Sequence, residues 1–170
     1  MSRRIGSARV GTGLRVLAAA GAAGMVAAAI AGCSPSRQRP PEPTVAVRDV
    51  PGHGTILVDR DGSTLYVSDE ERGGFVRCVA ECATVWPPLT IPPGEEPVAG
   101  EGVTGQLGTI TRADGNVQVT YDGRPLYLYS LDTGPDIAKG DGLTEQAGDT
   151  TLTWHVATPG RAPAPSAAAG

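Results

Sequence analysis

The chain has 170 residues, with 24 Gly, 15 Pro, 3 Cys and seven aromatics, enough for one ordinary domain with tails but not for two full-sized ones. So much Gly and Pro excludes a helical bundle. A net charge of −4 leaves no electrostatic footprint for nucleic acid.

Arg3, Arg4, Arg9 and Arg15 make a basic start, and an Ala-rich apolar run follows from Val16 to Ala31. That run is short and poor in large side chains, which suits an export signal better than a membrane-spanning helix. It closes on Ile30-Ala31-Gly32-Cys33, which resembles the bacterial lipobox. Small residues there let a peptidase draw the chain in extended form, and the thiol of Cys33 is the nucleophile that accepts a lipid. Residues 1–32 are therefore read as a lipoprotein signal peptide and Cys33 as the attachment site. Arg3-Arg4 lacks the hydrophobic residues that usually follow a twin-arginine pair, so both the general and the twin-arginine export routes stay open. Removing the signal leaves ten basic residues against 18 acidic ones. Attachment to an anionic bilayer then has to come from acyl chains, at about 0.8 kcal/mol per buried CH₂.

Residues 33–52 carry five Pro after Cys33 and little to bury, the composition of a stiff tether. Residues 159–170 read as a disordered tail. Between them, residues 53–158 alternate with a period of two. Thr55–Asp59 and Thr64–Ser68 flank Asp61-Gly62; Thr109–Arg112 and Val117–Tyr121 flank Asp114-Gly115; Pro125–Tyr129 follows Asp122-Gly123. Asp-Gly between β-branched and aromatic runs is a hairpin signal. Thr151–Val156 reads as a closing strand, and Phe75–Val85 as the one short helix, beside the cysteines. The fold class is all-β: two pseudo-repeated hairpin units forming a β-meander, small sandwich or barrel-like body. The repeat emerges at an offset of 61, which lays Val58, Asp61, Gly62, Leu65 and Tyr66 on Val119, Asp122, Gly123, Leu126 and Tyr127. An acid follows five residues after each tyrosine, Glu71 and Asp132.

The stretches GTILVDRDGSTLYVSDEE, CVAECATVWPPL, RADGNVQVTYDGRPLYLYSLD and the Trp154-His155-Val156 ending resemble the bacterial secreted-repeat lipoproteins of unknown function, marked by a Tyr-x4-Asp pattern. Glu71 departs from that pattern by one methylene, which puts a role for the shorter carboxylate in question for the first repeat. The resemblance implies a small exported β domain, commonly lipid-anchored, and no established activity.

Cys78 and Cys82 are the thiols left once Cys33 is lipidated, and outside the cytosol two such thiols pair. On one helical turn their Cα atoms would lie about 6 Å apart, within disulfide range. A local clip ahead of Trp86-Pro87-Pro88-Leu89 is the structural reading; a redox accessory that uses the pair with nearby aromatics is the alternative. The spacing fits no zinc template, so neither a metal site nor any other cofactor is expected. Gly100-x-Gly102-x-x-Gly105 follows no strand and opens no helix, and is read as a loop. The acidic, turn-rich Asp132–Asp141 stretch offers weak calcium binding as a third idea, against a plain solvated surface. Tyr66 and Tyr127 are read as core residues bonded to Glu71 or Asp132, with a ligand groove lined by Tyr66, Trp86, Tyr127, Tyr129 and Trp154 as the functional alternative. No hydrolase constellation is spelled out, so no catalytic residue is assigned and the protein is read as a non-enzyme. The expected role is envelope scaffolding, or binding of an envelope protein or small molecule, with the membrane met through the lipid.

Overall fold

A computed structural model describes residues 40–160. The signal segment, Cys33 and residues 161–170 lie outside the described residues. The first strand, β1 (Val45–Val50), pairs antiparallel with β2 (Gly54–Asp59), from Val45 opposite Asp59 to Val50 opposite Gly54. This corrects the tether assigned to residues 33–52, since the folded body already begins at Thr44. Thr44 and Val45 donate their N–H groups to the Val98 carbonyl, and Gly100 donates to Val45. Pro43 and Pro51 flank the strand rather than interrupt it, and the alternating valines between them find a partner.

The chain continues through β3 (Tyr66–Ser68), a 3₁₀ turn at Asp69–Glu71 and α1 (Glu81–Val85). Next come β4 (Thr90–Ile91), β5 (Leu107–Thr111), β6 (Val117–Tyr121), β7 (Arg124–Pro125), β8 (Thr144–Ala147) and β9 (Thr150–Val156). The expected helix over Phe75–Val85 shrinks to its last five residues. Ala80 just ahead of it has φ +49°, a conformation no helix continues through.

Each Asp-Gly pair makes a turn, in two forms. Asp122 and Gly123 both have positive φ and join β6 to β7 as a two-residue turn, with Tyr121 opposite Arg124. At Gly62 and Gly115 the loop is longer: each glycine N–H bonds back to the carbonyl three residues earlier, on Asp59 and Arg112, and takes up the left-handed conformation. The β5–β6 hairpin forms in full. The β2–β3 hairpin does not: after Val58 meets Thr64 the chain turns away, and β3 pairs with β9. The strands thus lie in three small antiparallel sheets, β1-β2, β3-β9-β8 and β4-β6-β5 with β7 on β6, rather than in a meander. The all-β fold and its two repeats stand.

The repeats face one another across a local twofold. Tyr66 and Tyr127, equivalent in sequence, exchange both backbone hydrogen bonds at 2.8 and 2.9 Å. Around each, the same three-cornered pattern recurs. Leu57 donates to Ala157, Ala157 to Leu65 and Leu65 to Leu57; Val119 donates to Leu89, Leu89 to Leu126 and Leu126 to Val119. Leu89 therefore corresponds to Ala157, and Trp86 to Trp154. Leu57 rather than Val58 corresponds to Val119, because the turn after Asp59 holds one residue more than the turn after Tyr121 and breaks the offset of 61 ahead of the Asp-Gly pair. Aliphatic side chains of both repeats, among them Val45, Leu57, Leu65, Val119 and Leu126, form one buried cluster, and the aromatics form a second.

Candidate functional site

The five aromatics proposed as a groove do come together. Trp86 and Trp154 stack with centroids 4.1 Å apart and planes 11° from parallel. Tyr129 stacks on Trp86 at 4.4 Å, while Tyr66 meets Trp86 and Tyr127 meets Trp154 edge-on, at 5.4 and 5.0 Å. Tyr66, Trp86, Tyr127 and Trp154 are all fully or almost fully buried. The groove is thus corrected to a core: with so few large side chains, the faces that could have met a ligand fill the interior between the repeats. Tyr129 is half-buried and lines a surface depression with Pro87, Leu128 and Asp132.

The tyrosine hydroxyls bond crosswise. Tyr66 donates to Asp132 at 2.6 Å and Tyr127 to Glu71 at 3.1 Å, so each acid serves the tyrosine of the other repeat. Each acid also holds its own loop by the backbone seven residues on: Cys78 N–H donates to Glu71 at 2.8 Å, and Lys139 N–H to Asp132 at 3.0 Å. Burial, then the hydrogen bond to Asp132, pushes the Tyr66 hydroxyl far above its ordinary value. Burial, then the Glu71 charge, does the same for Tyr127. Both phenols stay protonated and donate. Glu71 meets the same two kinds of partner as Asp132 despite its extra methylene.

Cys78 and Cys82 are disulfide-bonded, with Cα atoms 5.2 Å apart. They do not share a helical turn, because Cys78 precedes α1. The bridge is buried against Trp86 and Tyr127, at 0% and 5% exposure. Behind it lies a residue the sequence did not flag: buried Arg112 donates to the Cys78 carbonyl at 2.7 Å and to Gln118 at 2.6 Å, and Gln118 donates on to the Leu126 carbonyl.

Two segments of the chain, residues 48–90 and 108–158, match the family described as a secreted repeat of unknown function. The protein belongs to this secreted-repeat family. No curated protein and no solved structure matches it. One matched segment ends just past Trp86 and the other just past Trp154, so the two secreted repeats are the two halves that the twofold relates. Membership makes the protein extracytoplasmic.

The surface of the secreted-repeat domain holds a cleft of about 430 Å³ lined by Asp69, Arg72, Arg124 and His155, with Val67, Val156 and Ala157 behind them. Asp69 is its hub. Arg72 reaches it at 2.5 Å, Arg124 at 3.2 Å and His155 at 3.3 Å. Burial raises the Asp69 carboxyl, but the Arg72 hydrogen bond and the charges of Arg72, His155 and Arg124 outweigh it and hold the group below the ordinary carboxylate range. Burial, then repulsion from Arg72, lowers the Arg124 guanidinium. Nothing in the local sequence marks these residues; the offset-61 alignment would have, because it sets Arg124 against Ser63 and Asp69 against Ser130. The acidic stretch disperses instead of converging. Asp132 bonds Tyr66, Asp136 pairs with Arg48, and Asp141 lies near His53 and His155. Among the described residues no cluster of three or more His, Cys, Asp or Glu could hold a metal ion. Gly100, Gly102 and Gly105 lie in a loop that leads into β5.

Proposed function

We propose that the mature protein is a lipoprotein anchored through Cys33 on the extracytoplasmic face of the cell membrane, and that its two-repeat domain is a non-enzymatic binding or scaffolding module of the envelope. Anchoring rests on the basic start, the short apolar run and Ile30-Ala31-Gly32-Cys33. One observation supports the module: the tyrosine and acid that recur in each repeat, Tyr66 with Asp132 and Tyr127 with Glu71, are consumed in holding the other repeat. A body built this way presents a rigid surface, and its partner is an envelope protein or a small molecule. Metabolic labelling with a palmitate analogue tests the anchor. The wild-type chain should take up label and fractionate with membranes. Cys33→Ser should do neither, and a labelled Cys33→Ser chain would defeat the assignment.

The alternative, an exported redox accessory using Cys78 and Cys82, draws support from the stacked Trp86, Trp154 and Tyr129 beside the pair. Burial of both sulfurs supports the structural clip instead. A potential below about −300 mV, with stability lost on reduction, fits the clip; one near −200 mV with the fold intact would turn the reading to redox.

A further inference from the structure

The twofold that relates the repeats also relates two surface clefts. The counterpart of the charged cleft is lined by Ser63, Pro87, Leu128 and Ser130 among others. By the repeat alignment these stand where Arg124, His155, Val67 and Asp69 stand in the first. Thr133 likewise takes the place of Arg72. Val67 and Leu128 give both an apolar wall, while the positions of Asp69, Arg72 and Arg124 carry the uncharged Ser130, Thr133 and Ser63 in the counterpart, whose one charged lining residue is Asp132. Uncharged side chains suffice to close the surface, as Ser63 and Ser130 do in the counterpart cleft. One cleft has instead gathered two guanidiniums and an imidazole around the Asp69 carboxylate, with Asp141 on the other side of the imidazole at 3.8 Å, in a chain whose net charge is −4.

Arg124 is not used up by that arrangement. Among the described residues it donates only from Nη2, to the Ser68 carbonyl at 3.0 Å and to Asp69. Its Nε is buried and has no partner among the described residues, so Nη1 is the donor left for an occupant. Arg72 extends to the solvent side of Asp69, with 65% of its side chain exposed. Asp122 also lines the cleft and accepts from Gln106 N–H, which disfavours a second anionic group on the occupant beside it.

We propose that this cleft binds a small molecule bearing one oxyanion group, a carboxylate or a phosphate. Arg124 and Arg72 hold the charged end beside Asp69, His155 flanks it, and Val67, Val156 and Ala157 take the apolar part. Guanidinium groups match the planar geometry of carboxylate and phosphate oxygens. The volume, about 430 Å³, lies in the range of small-molecule sites. The inference rests on the binding reading above and gives it a ligand class.

Titration calorimetry on the full chain in detergent micelles tests it, with benzoate as the carboxylate probe and inorganic phosphate as the other. At least one probe should bind the wild-type chain with millimolar or tighter affinity, and the stronger of the two identifies the source of the oxyanion. Arg124→Ser places in the charged cleft the residue its counterpart already carries, and should weaken binding at least tenfold. Arg72→Ala, at an exposed position where folding is not at stake, should weaken it at least threefold. Absence of binding by both probes, or unchanged affinity in Arg124→Ser or in Arg72→Ala, overturns the proposal. A chain that takes up the palmitate label yet binds neither probe defeats the cleft while the anchor stands.

Discussion

Tyr66 and Tyr127 donate to the acid of the opposite repeat, so the strength of each bond depends on a carboxylate that is charged and already held by backbone N–H groups. Hydrogen bonds to a charged group contribute about 1.5–3 kcal/mol, and Tyr127→Phe should lower urea-unfolding stability by about that much. Combining it with Glu71→Gln should cost less than the sum of the two single changes, because both remove one interaction. Additivity in the cycle would show that Tyr127 and Glu71 are not coupled. Acid acts on a different pair of side chains. Burial raises the carboxyls of Asp69 and Glu70, but the arginine contacts of Asp69 and the Thr153 and Ser68 hydrogen bonds of Glu70 hold both below their ordinary values. The unfolded state then binds protons more readily. Their stabilisation is complete above the ordinary carboxylate range of about 4 and is lost as pH falls through the depressed folded values. Melting temperature should drop along that path, and Glu70→Gln should flatten the drop. The tyrosines and acids were legible in the sequence because their spacing recurs. Their crossing was not, because spacing reports neighbours along the chain while the crossing follows from Tyr66 and Tyr127 pairing across the twofold. Arg112 gave no signal at all, since a lone arginine reads as surface until its partners are known.

At the scale of elements, β1 contributes a full partner strand to β2 and puts Val45 and Val50 into the core. A chain that begins at His53 should therefore unfold or aggregate, whereas one that begins at Pro40 should melt like the full-length protein; differential scanning fluorimetry distinguishes them. Proline content concealed this strand, because composition averages over a window and the prolines sit only at its ends. The Asp-Gly hairpins were read correctly where both flanking strands continue past the turn. At β2–β3 the local signal lost to a partner far along the chain, β9, which covers Tyr66 and Val67 better than β2 could. The disulfide closes a loop of a few residues, so the chain-entropy account gives about 2 kcal/mol. Replacing Cys78 and Cys82 together by alanine should cost about that amount in equilibrium unfolding. A much larger loss would show that the bridge also holds the Arg112 network against Cys78.

Considered whole, the molecule is two halves that each lack something the other has. Neither repeat carries both a tyrosine and the acid that tyrosine uses, and each tryptophan has its broad face against its equivalent. Cleaving the chain at the exposed turn between Glu101 and Gly102 should yield fragments that are unfolded apart and recover native circular dichroism when mixed. Independent folding of either fragment would contradict this mutual dependence. The repeat itself was legible because Asp61-Gly62 and Leu65-Tyr66 recur at one offset, which needs no structure to be seen; the one-residue shift ahead of that turn was not, because Val58 and Val119 match by identity. The pairing of Trp86 with Trp154 was not, because the loops between tyrosine and tryptophan differ in length and break the register. That pairing also makes the protein its own optical gauge. Two indoles stacked this closely share their electronic excitation and give a split signal of opposite signs in the ultraviolet dichroism, which weakens steeply as the rings part or turn. Both tryptophans of the chain sit in that stack, so the split band reads the seam between the repeats without any attached label. A ligand, a reductant or a membrane that loosens the seam would announce itself there while the strands remain intact.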